Sequence, residues 1–539
     1  MDPALSAFDW TVVGAYLLGV AWVGFLVGRR QESTKDYFLG GRSIPWWAAT
    51  LSIIATETSA VTFIGFPRAA YAGNWSIAQL FIGFVLGRIF LALVFVQVFY
   101  RSEHVTVYGY LADRFGAGAR VTAATLFVLG RLVASGVRLF AGCLAVHVAT
   151  GVDVESIIVA VGIFGGAFTL LGGIRAVVWT DVILGLTLLG GGMISLVYLV
   201  GMMPGGLDSV LTSPRLMEKT AVFFADTGID RDGGIVCGLI GGFVLTLATH
   251  GTDQDIAQRM LTCRDSRSGS LSVLGSAVLL LPLVFLFLAV GTLLWFFVEQ
   301  GGASFGEPPQ EELNRIFPLF IVHELPRGLA GLVMAGLLAA ALSSFTSVLN
   351  ALAATTIGDF YGPLTARRAS KRGASARREE HLVRASRVAT AFWGLALIGM
   401  AIAFVGSSDS LINLGLKVLT YCYGGLLGAF VLGVLTRRGS NASVVAGMLA
   451  SVPVVLLLQL RQWVDDPASV PGALSASLEG LSIGQKGAIQ RWIPTIAWPY
   501  WIVIGTTLSV AIGALGSTRK PTVPANGAHE STTRSRIPG

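Results

Sequence analysis

Thirteen stretches of this 539-residue chain stay apolar for about the 20 residues a helix needs to cross a hydrocarbon core. They fall near residues 8–28, 45–72, 75–100, 121–149, 153–172, 177–202, 233–256, 270–298, 327–357, 386–406, 409–436, 442–460 and 494–516. Lipid offers the backbone no hydrogen bonds, so a spanning segment must satisfy its own polar groups, which a helix does. The expected fold is therefore all-α: a polytopic membrane protein with about 13 transmembrane helices. A chain that is 53% hydrophobic and 13% charged cannot be a soluble domain with one core.

Loop charge sets the expected orientation, because short cytoplasmic loops carry the excess of Lys and Arg. Arg29, Arg30, Lys35 and Arg42 place the first loop inside. Residues 367–387 hold eight Arg and Lys against two Glu, whereas 299–326 hold five Glu and one Arg. Alternation from the first loop puts these two on opposite sides, with the N-terminus outside and the C-terminus cytoplasmic, as expected in a plasma (cell inner) membrane. The net charge of +7 is then mostly a topology signal. It makes the lipid bilayer, not nucleic acid, the expected large partner.

The acidic start and long first apolar run argue against a cleavable signal. Cys143, Cys237, Cys263 and Cys422 show neither a disulfide nor a metal spacing. Residues 517–539, rich in Pro, Ser, Thr and Arg, read as a disordered cytoplasmic tail.

Two spans do not read as plain helices. Residues 46–71 carry Thr50, Ser52, Thr56, Glu57, Thr58, Ser59 and Thr62 ahead of Gly65-Phe66-Pro67. Five spans later, residues 233–259 carry two Gly-Gly pairs and then His250-Gly251-Thr252-Asp253-Gln254. Polar groups with Gly or Pro breaks at membrane depth fit discontinuous helices whose freed carbonyls face a cavity, and the five-span offset fits an inverted repeat. Glycines that serve close packing would give part of the same pattern.

A third feature lies in the ninth span, where 340–347 read Ala-Ala-Leu-Ser-Ser-Phe-Thr-Ser. At helical spacing Ser343, Thr346 and Ser347 share a face, with Ser344 beside them. Such hard neutral oxygens suit Na+. A single membrane serine would more simply bond back to its own helix or ease helix packing.

Together these stretches resemble the sodium:solute symporter family over roughly residues 8 to 460. The resemblance is carried by Asp36-Tyr-Phe-Leu-Gly-Gly-Arg42, by Ala55-Thr-Glu-Thr-Ser59 with Phe63-Ile-Gly65, and by Gly172-Gly-Ile-Arg-Ala-Val-Val-Trp-Thr-Asp181. Asp253-Gln254 with Gln258-Arg259, and Ser343-Ser344 through Asn350, complete it. It implies a five-plus-five inverted-repeat core at 45–436 with discontinuous first and sixth core helices. An extra helix and loop at 1–44 precede it, and two peripheral helices at 437–516 follow it. It also implies a sodium site from the carbonyls of Ala55, Thr58 and Ala340 and the hydroxyls of Ser343 and Ser344. A possible second sodium site would use Asp181, Ser343, Thr346 and Ser347, although Asp181 sits where it could cap a helix. Sugar-carrying members place polar residues on the second core helix where this chain is apolar at 81–84, which makes a hexose a poor substrate. Where those members have Asn on the sixth core helix, this chain has Asp253.

Ionisable groups at membrane depth are functional candidates: Glu57, Arg88, Arg131, Arg138, Asp181, Asp253 and Lys417. Arg138 could clamp a substrate carboxylate through its planar fork, or pair structurally with Glu57 or Asp253. Arg88 and Lys417 are expected to be structural or to reach the cytoplasmic face. Substrate candidates are Glu57, Ser59, Thr62, Arg138, Asp253 and Gln254.

The function expected is sodium-coupled import of a small polar organic solute, possibly a carboxylate, by alternating access. Na+ is the coupling ion; no organic cofactor and no other metal are expected, and the chain is expected to work as a monomer. A membrane sensor of the same fold would need signalling domains that the sequence lacks. A membrane-embedded enzyme would need a nucleophile elbow or clustered ligands, and His104, His147, His250, His323, His381 and His529 are scattered.

Overall fold

A computed structural model describes residues 5–28, 39–101, 104, 106–169, 174–366, 375–406, 411–467, 470, 478 and 480–516. The tail expected over 517–539, part of the basic loop 367–387 and part of the motif at 36–42 lie outside the described residues. Within them the chain is helical between turns and loops, with an isolated bridge joining Ile44 to Cys263.

The chain begins with α1 (Ala7–Gly28), whose Leu18 and Trp22 face outward. The first broken span follows as α2 (Trp46–Glu57) and α3 (Ala60–Ala72), and then α4 (Ala78–Arg101), α5 (Ala117–Thr150), α6 (Val154–Thr169) and α7 (Ile174–Met202). The second broken span is α8 (Ile235–Gly251) and α9 (Gln254–Leu261), followed by α10 (Ser266–Glu299) and α11 (Leu329–Thr355). The chain closes with α12 (Ser375–Ala403), α13 (Leu411–Leu435), α14 (Asn441–Asp465) and α15 (Pro499–Ala514). Nine described helices are long and apolar enough to cross a bilayer alone, and the two bent pairs raise this to as many as 11. Helix α6, described as far as Thr169, falls on the fifth expected span, and α15 falls on the thirteenth but is shorter.

Both breaks have a local cause. At the first, Thr58 leaves the helical region (φ −83°, ψ 81°) and Ser59 is extended, its hydroxyl accepting from Val61 N at 3.3 Å to start a new helix. The two axes differ by 62°. At the second, Asp253 is extended and its carboxylate accepts from Asp255 N at 2.8 Å, with a bend of 66°. A capping residue mid-span thus ends one helix and begins the next.

Helix association in lipid relies on close approach, since apolar burial drives it little. A Cβ at Gly242 of α8 would stand 2.0 Å from Leu80 O of α4, and one at Gly83 of α4 would stand 2.5 Å from Leu239 O of α8. Only hydrogens let these backbones meet. Helix α11 is the most enclosed of the long helices and packs against α1, α5 and α7. Asp9 at the start of α1 accepts from Gly328 N (2.6 Å) and Gly331 N (3.0 Å), which caps α11 from outside its own sequence.

Candidate functional site

The first break opens two carbonyls. In a continuous helix Ser59 N would bond Ala55 O and Thr62 N would bond Thr58 O. Instead Ser59 N donates to Glu57 O (3.1 Å) and Thr62 N to Ser59 O (2.9 Å). The carbonyls of Ala55 and Thr58 are therefore relieved of their regular donors at the bend.

The serine-rich α11 meets this bend. A Cβ at Gly142 of α5 would stand 2.2 Å from Ala341 Cβ of α11 and 3.6 Å from Ala60 Cβ at the start of α3, so one glycine touches both elements. Asp181 of α7 joins them directly: Ser52 of α2 donates to one carboxylate oxygen at 2.6 Å and Ser343 of α11 to the other. Asp181 lies well inside α7, which begins at Ile174, so it does not cap that helix. Ser344 Oγ is buried without a hydrogen-bond partner. An orphaned hydroxyl is costly at this depth unless something else takes its lone pairs, and a small cation fits that role. Ala340 stands one turn away on the same helix.

Arg259 of α9 fills the space between Asp181 and Ser347. Its Nη2 donates to Asp181 (3.0 Å) and to Ser347 Oγ (2.7 Å), and its Nη1 to Asp255 (2.8 Å). Ser347 in turn donates to Asp255. Thr346 Oγ1 donates to the Ser343 carbonyl of its own helix at 3.1 Å. Of the four residues expected for a second ion, Asp181 and Ser343 are in direct contact, Ser347 lies across a guanidinium, and Thr346 turns back on α11. Arg131 of α5 pairs with Asp253 (3.0 Å) and with Asp255.

Beside the break lies a small cavity of about 50 Å³. Its polar lining is Glu57, Ser59, Thr62, Arg131, Arg138, Thr249 and His250, and Phe81 and Phe84 supply apolar walls. Four expected substrate residues, Glu57, Ser59, Thr62 and Arg138, are thus brought together. Asp253 and Gln254 are not among the lining: Asp253 accepts from Arg131 and from the Tyr423 hydroxyl (2.7 Å), and Gln254 Oε1 accepts from Val107 N (3.0 Å).

Arg138 pairs with neither Glu57 nor Asp253. Its Nη1 donates to Thr56 O (3.1 Å), a carbonyl exposed by the end of α2, and among the described residues no carboxylate lies in ion-pair range of it. Glu57 is taken by Arg88, which is fully buried and so does not reach the cytoplasmic face. Lys417 is buried as well. Sequence reasoning passed over Asp255 and set His250 aside as scattered. The signal for Asp255 was present in its i, i+4 spacing to Arg259 on a short helix.

The family model for the sodium:solute symporter family matches residues 37–451. The sodium/sialic acid symporter SiaT of Proteus mirabilis is 30% identical over 455 residues, which is 83% of this chain and 88% of that one. The human sodium/iodide cotransporter is 27% identical, over 90% of this chain and 76% of its own length. Among solved structures, the substrate-bound outward-open state of a Na+-coupled sialic acid symporter superposes with a TM-score of 0.78 at 25% identity, covering 96% of this chain and 99% of that one.

Proposed function

The chain belongs to the sodium:solute symporter family, and from that premise we propose that it imports a small organic carboxylate together with sodium by alternating access. The observation that carries this reading is that the bend which frees the Ala55 and Thr58 carbonyls packs against α11, where Ser344 keeps a buried hydroxyl without a partner among the described residues. Ala55, Thr58, Ala340, Ser343 and Ser344 would ligate one Na+. Asp181 with Ser343, Thr346 and Ser347 would take a second once Arg259 gives way. Binding across α2 and α11 would tie the break to a second helix, so sodium would favour the conformation in which the cavity is formed.

Arg138 is the proposed carboxylate clamp. A buried guanidinium with one carbonyl partner keeps donors to offer, and its fork matches a carboxylate. Relatives named for sialic acid and for iodide carry anions, in keeping with a cationic pocket. The protein would work as a monomer in the cell inner membrane, N-terminus outside and C-terminus inside.

Uptake into proteoliposomes tests the reading. Accumulation should depend on an inward Na+ gradient and vanish when choline replaces Na+. Arg138→Ala should raise the half-saturating concentration of a transported carboxylate by about tenfold or more, and Arg138→Lys by less, since a charged hydrogen bond contributes roughly 1.5–3 kcal/mol. Unaltered affinity in both variants would remove the clamp.

A further inference from the structure

We propose that Glu57 and His250 form a second subsite in the same cavity, one that receives two donated hydrogens from the substrate. The imported solute is then a carboxylate that also bears neighbouring hydroxyls or an ammonium group, and not a plain monocarboxylate or an inorganic anion. The inference rests on Arg138 holding the carboxylate.

Two residues of the cavity lining each keep a buried polar atom without a partner among the described residues. Glu57 gives one oxygen to Arg88, whose Nη1 also donates to Ser276 Oγ at 3.0 Å, and this holds the carboxylate in place. The other oxygen, Oε1, is buried with no hydrogen bond. His250 is 1% exposed, and its Nδ1 lies 3.0 Å from Thr249 Oγ1. The Thr249 hydroxyl donates its hydrogen to Leu245 O at 3.0 Å, which leaves its oxygen free to accept from Nδ1–H, and Thr246 Oγ1 stands 3.3 Å from the same nitrogen. In the Nδ1–H tautomer of the neutral ring Nε2 carries a lone pair, and it has no partner among the described residues either. Nε2 lies 3.8 Å from Glu57 Oε2, beyond hydrogen-bond range, so the two groups do not satisfy each other.

Both residues line the cavity that Arg138 lines. The lining therefore offers a donor fork for an anion and a pair of bare acceptors for hydrogens. A vicinal diol or an ammonium supplies two hydrogens at once. A plain carboxylate supplies none and would seal both acceptors away from water. Sites built to bond a particular polar group reject analogues that lack it by several orders of magnitude, so a preference of at least a hundredfold is expected. Water can occupy the same acceptors when the cavity is open, and displacing it without replacing its bonds is what disfavours the plain acid.

Four six-carbon probes separate the two subsites: hexanoate has only the carboxylate, D-gluconate adds hydroxyls, L-norleucine adds an ammonium, and sorbitol has hydroxyls alone. Binding of each, and of sialic acid as a larger hydroxylated carboxylate, is measured on the purified full chain in saturating Na+ by thermal stabilisation and by competition for uptake. At least one of gluconate, norleucine and sialic acid should bind 100-fold or more tighter than hexanoate. Hexanoate binding as well as the best of them, or none of the five binding, overturns the proposal. Sorbitol binding as tightly as gluconate would sink the Arg138 clamp while leaving the acceptor pair standing. In His250→Phe, and in the paired variant Glu57→Met with Arg88→Met, which removes both charges and the acceptor together, the ratio of affinities between the preferred probe and hexanoate should fall toward one. A ratio that survives in both variants overturns the subsite.

Discussion

Ser344 is where a single atom separates an ion site from ordinary helix packing. Its neighbours on α11 have partners: Ser343 donates to Asp181, Thr346 to the Ser343 carbonyl and Ser347 to Asp255. Ser344 Oγ has none, yet it is buried. Replacing it with Ala removes an unsatisfied group and should leave the fold intact, with a melting temperature close to that of the parent. If it ligates sodium, the half-saturating Na+ concentration should rise about tenfold or more, on the scale of a hydrogen bond to a charge. Sodium-dependence curves of uptake for Ser344→Ala check this, and an unchanged curve would put the ion elsewhere. The hydroxyls themselves were legible in the sequence because four in five positions at membrane depth are unusual. Their division of labour was not, because it depends on Arg259 and Asp255, which arrive from a segment some 90 residues away and face α11 only after the second break has turned. His250 was illegible for a similar reason. A lone histidine in an apolar run carries no signal until its ring is seen to share a cavity with Glu57, nearly 200 residues earlier.

At the scale of elements, both broken spans could be read in the chain from polar groups with Gly or Pro at membrane depth, but the break points could not: α3 runs straight through Gly65-Phe66-Pro67 and α8 through Gly241-Gly242, and the helices break instead where Ser59 and Asp253 cap the next segment. The sequence also placed the apolar windows that became the long helices. It overstated α15, whose apolar run begins several residues before the helix starts at Pro499, because apolar composition does not fix where helical hydrogen bonding begins. What composition could not supply is which helices touch. Gly142 decides the central contact: with a Cβ only 2.2 Å from Ala341 Cβ, any larger side chain must push α5 away from α11 and from the start of α3. Gly142→Val is expected to destabilise by about 1–3 kcal/mol, as overpacking of a close-packed interior does. Because it spreads the two elements that would share the ion, it should also weaken sodium binding. Thermal unfolding with and without Na+ reads both effects: the stabilisation given by Na+ should shrink in the variant as well as the baseline temperature. A lowered baseline with undiminished sodium stabilisation would show that Gly142 serves packing alone.

Across the whole molecule, the buried charges around the two breaks balance, Lys417 apart. Glu57, Asp181, Asp253 and Asp255 face Arg88, Arg131, Arg138 and Arg259, four against four, each of the carboxylates in ion-pair range of an arginine. In a low-dielectric interior an added cation alone or an added carboxylate alone leaves an uncompensated charge, which is expensive. The two together restore balance, and this is a physical basis for coupling: each ligand raises the other's affinity by the same factor. Energy supply presses further. One Na+ carried with a monoanion moves no net charge, and a tenfold sodium gradient then yields only about 1.4 kcal/mol, or tenfold accumulation. A second Na+ brings in a net charge worth about 2.3 kcal/mol per 100 mV and raises the total to roughly 5 kcal/mol, several-thousand-fold accumulation. Once Arg259 gives way, Asp181 beside Ser343 is left with an uncompensated negative charge, and a second ion balances it. A monoanionic substrate should therefore be carried with a sodium Hill coefficient near two and an inward current of about one charge per cycle. Asp181→Asn removes the negative charge that would hold the second ion, and its Hill coefficient should fall toward one with loss of the current. Solid-supported membrane electrophysiology on both proteins decides it: an electroneutral wild type with a Hill coefficient of one would leave a single ion to drive transport.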